Sequence, residues 1–447
     1  MGDNTLTSIE FNQQLQDYLD NFALDQKQGG CALSIYHQGE LITALGAGVA
    51  RLANPSDDEQ LTVPFTPATL SLNFSTGKGI LVTLIHCLVS QNLLDYDLPI
   101  ADYWQNFGKN GKQAITLRHI LSHQSGLFDI TCITQDAKDM LDWQAMLHKI
   151  ETMPVDVRAM PVQKLPLEGK SVVPFVAYSA LVSGWILGGL IEKVTALPLQ
   201  SALEKYLLQP LDLVGQVYMG VPVDKTEQVA TPFRDKEDRS KPIMVSDGQA
   251  TLDFYQSLPI YPLWQQHPIT TRAEFPFTPL STQQINSLYF DPSKIDINDY
   301  KSSLVPVGSR QFNYYHPLSL QAKIPAANTV ATSHALATIY AMLANGGEWQ
   351  GTPLIRTEVF EQLYQVQNQQ QDTIMPATMQ WRLGYHRVFS LSSHAQNAFG
   401  HMGYNGSMAW CDPSRKLAVA FVHNYDVTMM NDIRQFIINE SVLDYFN

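Results

Sequence analysis

The sequence predicts an α/β protein of the α+β type, with an antiparallel sheet flanked by helices from both chain ends and a mainly helical domain inserted between its strands. Strand-like runs near both termini, an amphipathic helix at each end and helical periodicity through the middle support this prediction. Of the 447 residues 45% are apolar and 16% are charged, which is enough apolar material for a buried core and unlike a disordered chain.

The two chain ends are predicted to build the sheet together. Apolar side chains recur at helical spacing over 7–27, and the sequence CALSIYHQGELITALGAG then indicates two strands around a turn at 37–40. Further strand-like runs precede a final helix, predicted over about 428–445. We therefore assign residues 1–64 and 323–447 to one α/β domain.

The middle of the chain divides by composition into two parts. Residues 65–217 are predicted to form a mainly helical domain, whereas 218–322 is an insertion rich in Phe, Tyr and Trp. We expect the aromatic stretch 250–320 to shape a substrate pocket and its acyl specificity, because pockets are lined mainly by apolar side chains. Truncation of single aromatic residues, first of Trp264 and Tyr289, should then shift the preferred acyl length. The alternative for this stretch is a subunit interface, since exposed aromatic residues also mark association sites.

Charge and cysteine content limit the functional classes. Lys and Arg number 29 and Asp and Glu 42, so the net charge of −13 argues against nucleic acid or an anionic lipid surface as a partner. No apolar run is long enough to span a membrane, and no secretory signal is visible at the start, although a trimmed chain would look the same. Four scattered cysteines form no zinc-spaced cluster. We expect a cytoplasmic enzyme without metal or cofactor.

The tetrapeptide Ser75-Thr76-Gly77-Lys78 is the first candidate for chemistry. It begins an apolar helix, where residues three apart lie on one face, so the Lys78 amine can sit beside the Ser75 hydroxyl. Serine is a weak nucleophile until a neighbour takes its proton, and lysine can do so only if burial lowers its pKa. Gly77 and Gly79 flank the lysine at a cost of about 1 kcal/mol each in helix propensity, which predicts a close approach of neighbouring groups there.

The sequence after Ser75 continues with LDYDLP at 94–99 and ITLRHILSHQSGL at 115–127. In this order the motifs resemble the serine β-lactamase-like hydrolases, which include class C β-lactamases, D-Ala-D-Ala peptidases and family VIII carboxylesterases. The resemblance implies a β-lactamase/transpeptidase-like fold and a metal-free serine hydrolase. His119 and His123 are spaced like a metal pair, but no third ligand accompanies them, and we predict a structural role.

A second motif of this superfamily is Tyr-x-Asn, whose tyrosine serves as a base, and Tyr178-Ser179-Ala180 occupies the matching place. The resemblance therefore implies a catalytic role for Tyr178. Ala180 stands where lactam-handling members carry an asparagine that binds the substrate amide. This departure makes the chain more similar to the carboxylesterase-like members.

The third motif is His401-Met402-Gly403, in the place of Lys-Thr-Gly or His-x-Gly on an inner strand. The resemblance implies that the backbone N–H groups of Ser75 and Tyr404 form an oxyanion hole, in which each donor contributes about 3 kcal/mol. Glycine at 403 permits close approach to the strand. Histidine instead of lysine at 401 weakens any grip on a substrate carboxylate.

Together these motifs favour a hydrolase that cleaves small carboxylic esters through an acyl-enzyme on Ser75, with Lys78 and Tyr178 moving protons. A β-lactamase or a D-Ala-D-Ala peptidase or D-aminopeptidase is the alternative enzyme. A non-catalytic relative that binds a ligand or serves as a scaffold is the alternative from another class. Association with a second copy of the chain is left open.

Overall fold

A seven-stranded antiparallel sheet joins the two ends of the chain in the computed structural model. Its strand order is β3-β2-β1-β12-β11-β10-β9, and every neighbouring pair is antiparallel. The structure describes residues 6–23, 29–52, 62–159, 175–232, 247–267 and 279–447. The strands are Gly30–His37 (β1), Glu40–Leu52 (β2), Thr62–Pro64 (β3), Ser71–Leu72 (β4), Val217–Tyr218 (β5), Val330–Ala331 (β6), Glu348–Trp349 (β7), Thr352–Pro353 (β8), His386–Arg387 (β9), Phe399–Met402 (β10), Met408–Asp412 (β11) and Leu417–His423 (β12).

Helices cover both faces of this sheet and form most of the middle of the chain. They are Ser8–Asn21 (α1), Gly77–Ser90 (α2), Ile100–Tyr103 (α3), Leu117–Leu121 (α4), Trp143–Thr152 (α5), Val182–Thr195 (α6), Leu199–Leu203 (α7), Gln249–Ser257 (α8), Tyr261–Gln266 (α9), Thr282–Asn286 (α10), Ile297–Leu304 (α11), Pro317–Gln321 (α12), Ser333–Ala344 (α13), Thr357–Leu363 (α14) and Arg434–Tyr445 (α15). The predicted fold class, an antiparallel sheet with terminal helices and a helical middle, is confirmed.

The two faces of the sheet follow the period-two alternation of its strands. Leu33 and Ile35 of β1 point into a core shared with α1 and α15. Ala32 points to the other face with Ala418 and Ala420 of β12, where small side chains let α13 pack closely. The sheet therefore lies between the two terminal helices and the helical middle.

The predicted terminal elements differ from the observed ones at their ends. The first helix, predicted over 7–27, ends at Asn21, and 24–28 lies outside the described residues. The last helix, predicted from about 428, begins at Arg434. It starts late because the preceding residues form a turn, in which the Met429 N–H donates to the Tyr404 carbonyl at 2.7 Å. The predicted turn at 37–40 is confirmed as the link between β1 and β2.

Helix α2 lies at the centre of the helical part, and all of its residues are buried. An apolar helix without a polar face is expected in a core, and α2 contacts α6, α13 and α14. The strand just before α2 belongs to a small three-stranded sheet in the order β4-β6-β5. This small sheet places the segment before β6 next to the start of α2.

The aromatic insertion contributes largely to the hydrophobic core. Trp264 is fully buried, and its indole N–H donates to the Tyr289 hydroxyl at 2.8 Å. Tyr289 in turn stacks on Phe436 of α15 with ring centroids 3.7 Å apart and donates to Glu440. The expectation that Trp264 and Tyr289 line a pocket is therefore wrong for these two residues, because both fill the space between the insertion and α15.

Among the described residues, no single helix is long and apolar enough to cross a bilayer. One pair of helical segments, Val182–Thr195 and Leu199–Leu208, is bent by 73°. The two segments reach the length and apolar composition of a membrane span only when they are counted together. Most residues of this pair are buried in the protein.

Candidate active site

Ser75 lies in a tight turn, Phe74–Thr76, which leads directly into α2. Phe74 has a φ of 46°, in the left-handed region that residues other than glycine rarely adopt. Such backbone strain is often found at functional sites. The turn leaves the Ser75 side chain partly exposed at the positive end of a buried helix, where negative charge on its oxygen is favoured.

The two glycines around Lys78 are required by close packing. A Cβ at Gly77 would overlap the side chain of Thr329, and one at Gly79 would overlap the hydroxyl of Tyr340. The predicted close approach at these two positions is therefore confirmed. Because of these two glycines, the start of α2 packs closely against the segment before β6 and against α13.

The Lys78 amine is buried beside the Ser75 hydroxyl. Its Nζ lies 2.9 Å from Ser75 Oγ and donates to the Ala326 carbonyl at 2.7 Å. The residue is 3% exposed, and burial holds the pKa of the Lys78 amine well below its usual value. A neutral amine in this place has a lone pair that can take the proton of Ser75.

Tyr178 lies on the other side of this amine. Its ring centroid is 5.0 Å from Lys78 Nζ, and Trp381 stacks on the ring at 5.3 Å. Burial raises the pKa of the Tyr178 phenol, the neighbouring Ser75 side chain lowers it, and Asp372 raises it further. The buried hydroxyl has no partner at hydrogen-bond distance and angle within the described part of the chain. Its nearest polar influence is the Ser75 side chain.

The motif around Tyr178 is held by the segment that contains the two histidines. His123 Nδ1 accepts from the Ser179 N–H at 3.2 Å, and the His123 carbonyl accepts from the Ala177 N–H at 3.0 Å. His119 closes a capping box with Thr116 at the start of α4. Both histidines thus bond within the protein, as a structural role predicts. In the ranges that the structure describes, no group of three or more His, Cys, Asp or Glu residues could hold a metal ion.

A turn after β10 lies against the Ser75 turn. The Thr76 hydroxyl donates to the Ser407 carbonyl at 2.7 Å, and a Cβ at Gly403 would come within 2.5 Å of the Asn73 carbonyl oxygen. Glycine at 403 therefore allows the two backbones to meet. No carbonyl of the described residues accepts a hydrogen bond from the N–H of Ser75 or of Tyr404. Both amides remain available to a ligand oxygen.

His401 lies on β10 near Tyr178, with their ring centroids 6.2 Å apart. Burial holds the pKa of His401 well below its usual value, with further lowering by His386 and Lys78. Its Nδ1 lies 3.2 Å from the Met402 carbonyl oxygen, which places the proton on Nδ1. Its Nε2 has no partner among the described side chains and is an acceptor. The site thus offers a neutral imidazole where lysine would offer a charge.

Part of the aromatic insertion does reach the site. Phe74 is contacted by the rings of Tyr314 and Tyr404, with centroids 5.6 Å and 6.0 Å away, and by Tyr315 at 6.4 Å. Phe312 packs on Tyr314 at 4.8 Å. An aromatic wall therefore stands beside the Ser75 turn, built from the end of the insertion.

The structure brings together Ser75, Lys78, Tyr178, His401, Gly403 and Tyr404. Sequence reasoning missed the Ala326 carbonyl, Asp372 and Trp381. No motif marks Asp372 or Trp381, because their contacts with Tyr178 join residues that lie far apart in the sequence.

Comparisons with known proteins give relatives over nearly the whole chain. The profile of the Beta-lactamase family matches residues 11–442. The esterase/beta-lactamase LipL of Mycobacterium tuberculosis is 31% identical over 399 residues, which are 89% of this chain and 77% of LipL. The esterase EstB of Burkholderia gladioli is 22% identical over 248 residues, which are 55% of this chain and 59% of EstB.

Solved structures share the same fold at low sequence identity. A penicillin-binding protein homologue from Caulobacter crescentus has a TM-score of 0.66 and 24% identity, with 98% of each chain covered. A family VIII carboxylesterase has a TM-score of 0.67 and 21% identity, with 97% of each chain covered. Since the family profile and the likeness to LipL both span most of its length, this chain belongs to the Beta-lactamase family.

Proposed function

We propose that this hydrolase is a serine esterase, which cleaves small carboxylic esters through an acyl-enzyme on Ser75. The observation that carries the proposal is the 2.9 Å contact between Ser75 Oγ and the buried amine of Lys78. The relatives LipL and EstB, whose names describe them as esterases, support the same substrate class.

Lys78 is the base in the first step. Its burial favours the neutral amine, which takes the proton of Ser75 as Oγ attacks the ester carbonyl carbon. Positioned proton transfer of this kind typically accelerates a reaction by about 10²–10⁴-fold. The Ala326 carbonyl holds the amine in place, since it accepts one of its hydrogens at 2.7 Å.

The negative charge that forms on the carbonyl oxygen is received by two backbone amides. The N–H groups of Ser75 and Tyr404 lie on the two turns that Gly403 and Thr76 hold together. Each such donor contributes about 3 kcal/mol to the stability of the transition state. The amides are fixed by the fold and need no reorganisation when the charge appears.

Tyr178 is the proton donor to the leaving alcohol. Burial keeps it a phenol, so it enters the reaction as an acid rather than as the base that the motif alone implies. When the ester C–O bond breaks, the alkoxide takes the phenolic proton, and Lys78 passes the proton of Ser75 to Tyr178. In deacylation water attacks the acyl carbon and its proton goes to Lys78. When the bond between the acyl carbon and Ser75 Oγ breaks, Lys78 returns that proton to Oγ.

The polar groups that would hold a β-lactam are replaced. Ala180 is buried and has no side-chain amide, and burial keeps His401 neutral. A substrate carboxylate would meet no positive charge from His401. We therefore place the cleavage of lactams and D-amino-acid amides second, although the name of LipL includes β-lactamase beside esterase.

A substrate panel tests this proposal directly. Nitrophenyl esters of short and medium acyl chains are compared with nitrocefin by kcat/KM, using the wild type, Ser75→Ala and Tyr178→Phe. The matched control is Ser90→Ala, which removes a hydroxyl at the far end of the same helix. We expect esters to exceed nitrocefin, both site variants to lose turnover, and the control to retain it. Equal or higher kcat/KM for nitrocefin would replace the esterase with the lactamase.

A further inference from the structure

A carboxylate with no cationic partner is buried behind Tyr178. Asp372 is 0% exposed, and it forms no ion pair with the described residues. Its Oδ1 accepts from the N–H groups of Tyr178 at 3.2 Å, Ile374 at 2.9 Å and Met375 at 3.2 Å. Its Oδ2 accepts from the indole N–H of Trp381 at 2.9 Å. Both ends of this side chain therefore face donors.

A carboxylate accepts hydrogen bonds at both ends, which suits a side chain that has donors on both sides. Asparagine is nearly the same size, but it carries an NH₂ group at one end, which would face a donor in either orientation. A buried donor without an acceptor costs about 1–3 kcal/mol. The N–H groups around Asp372 therefore favour an acidic side chain over an amide of the same size.

Two of the four hydrogen bonds act on Tyr178, one on its backbone and one on its ring, while the other two fix the Asp372 side chain itself. The backbone is held directly, through its own N–H. The ring is held through Trp381, which stacks on it with centroids 5.3 Å apart and an angle of 20° between planes. The His123 ring packs edge-on against both, at 5.0 Å from Tyr178 and 4.2 Å from Trp381.

Burial of this charge works against the stability of the fold. It raises the pKa of Asp372 from 3.8 to about 6, although its four donors oppose the shift. A carboxyl whose pKa is raised in the folded state contributes stability below about pH 4 and loses it as pH rises through about 6. At neutral pH the buried carboxylate thus lowers the free energy of unfolding. A residue with a purely structural role at this position would not need to carry this charge.

We propose that Asp372 is a positioning residue for Tyr178, acting on its backbone directly and on its ring through Trp381. The inference rests on the proposed function, in which the Tyr178 phenol donates a proton to the leaving alcohol. Asp372 and Trp381 aim that phenol, and neither touches the reacting atoms. A displacement of about 1 Å in a catalytic group can cost about 100-fold in rate.

Five other titratable groups surround this arrangement: Tyr178 itself, Lys78 over its ring, and His123, His386 and His401 around Trp381. Burial raises the pKa of Tyr178 and lowers the pKa of the other four. Burial lowers the pKa of His123 to about 3 and that of His386 to about 4, so these two do not titrate near pH 6. Comparison of a variant with the wild type at each pH isolates the contribution of Asp372.

A double-mutant cycle tests the proposal. Asp372→Asn is expected to lower kcat by about 100-fold with little change in KM, and Trp381→Phe by less. In the double variant the facing donor of Trp381 is gone, so kcat should be higher than in Asp372→Asn alone. Trp264→Phe is the control, since it removes a buried indole hydrogen bond of similar length in the core. Independent effects, with the double variant showing the product of the single losses, would overturn the proposal.

Thermal unfolding of the same variants tests the cost of the buried carboxylate, while the split between kcat and KM separates positioning from a structural role. The melting temperature of Asp372→Asn minus that of the wild type should increase between about pH 4 and about pH 7. A constant difference contradicts the account. If Asp372→Asn does not fold, Trp381→Phe is tested alone. A wild-type kcat for Trp381→Phe would then refute the positioning of Tyr178 through Trp381. If Ser75→Ala remains active, the proposed function fails; if it is inactive while both variants keep kcat, only the positioning role fails.

Discussion

Replacement of Lys78 by methionine is the perturbation whose consequences the structure defines most fully. Methionine is unbranched and similar in length, so Lys78→Met removes the amine without opening a large cavity. Two contacts are lost, the one to Ser75 Oγ at 2.9 Å and the one to the Ala326 carbonyl at 2.7 Å. The variant therefore removes the proposed proton acceptor while it keeps the packing of α2.

The expected loss of activity follows from the proposed role of the amine as a base. Without it, Ser75 has no group in contact that can take its proton, and kcat/KM should fall by about 10²–10⁴-fold. In the wild type the reactive form contains neutral Lys78, so kcat/KM should rise with pH. Because burial lowers the pKa of Lys78, this rise should be complete well below its usual value of 10.5.

The expected change in stability has a definite sign with pH. A buried lysine whose pKa is lowered contributes stability above about pH 10 and loses it as pH falls through the pKa of the folded state. Removing the amine also leaves the Ala326 carbonyl without its donor, at a cost of about 1–3 kcal/mol. The stability of Lys78→Met relative to the wild type should therefore be greatest at low pH and decline as pH rises.

Hydrolysis of a nitrophenyl ester and thermal unfolding, both measured from about pH 5 to about pH 10, check these expectations. The matched control is Lys112→Met. Lys112 is also fully buried and donates to the carbonyls of Glu151 and Met153, and burial lowers its pKa to about 8. It should show the same trend in stability and wild-type kcat. Activity of Lys78→Met within tenfold of wild type would refute the assignment of the base.

Three further expectations concern the surroundings of the site. Gly79→Ala should destabilise the protein by about 1–3 kcal/mol, because its Cβ overlaps the Tyr340 hydroxyl. A second substitution, Tyr340→Phe, should restore much of this stability in a denaturant titration. Absence of this rescue would contradict the overlap. Tyr314→Ala should shift the preferred acyl length of nitrophenyl esters, since Tyr314 packs on Phe74; an unchanged chain-length profile would exclude this wall from the pocket. His401→Lys should raise kcat/KM for nitrocefin relative to esters, because it places an ammonium at this position. An unchanged ratio would show that charge at position 401 does not determine the preference for esters.

The sheet and its flanking helices were predictable because their signals are local. Strand alternation at Leu33 and Ile35 and helical spacing before Asn21 depend on side chains close in sequence. The late start of α15 was not predictable, because it depends on a hydrogen bond between Met429 and Tyr404. Helix ends set by such distant contacts leave no pattern in the helix itself.

The catalytic motifs were predictable as residue types but not as an electrostatic arrangement. Ser75 and Lys78 stand three apart on a helix, so their contact follows from helical geometry. The protonation of Tyr178 depends on the burial of its phenol and on Asp372, which lies 194 residues away. Sequence reasoning also placed Trp264 at the pocket, because aromatic composition alone does not separate a pocket wall from a core.

The central claim is that Ser75 carries the acyl group during turnover. Intact-protein mass spectrometry after brief reaction with a fluorophosphonate, followed by peptide mapping, identifies the nucleophile that would carry this group. We predict one adduct per chain, located on Ser75 and absent from Ser75→Ala, with Ser90→Ala labelled like the wild type. An adduct on another residue, or no adduct in a wild-type protein that hydrolyses esters, would contradict the acyl-enzyme on Ser75. A wild-type protein that neither labels nor hydrolyses esters would be the non-catalytic relative.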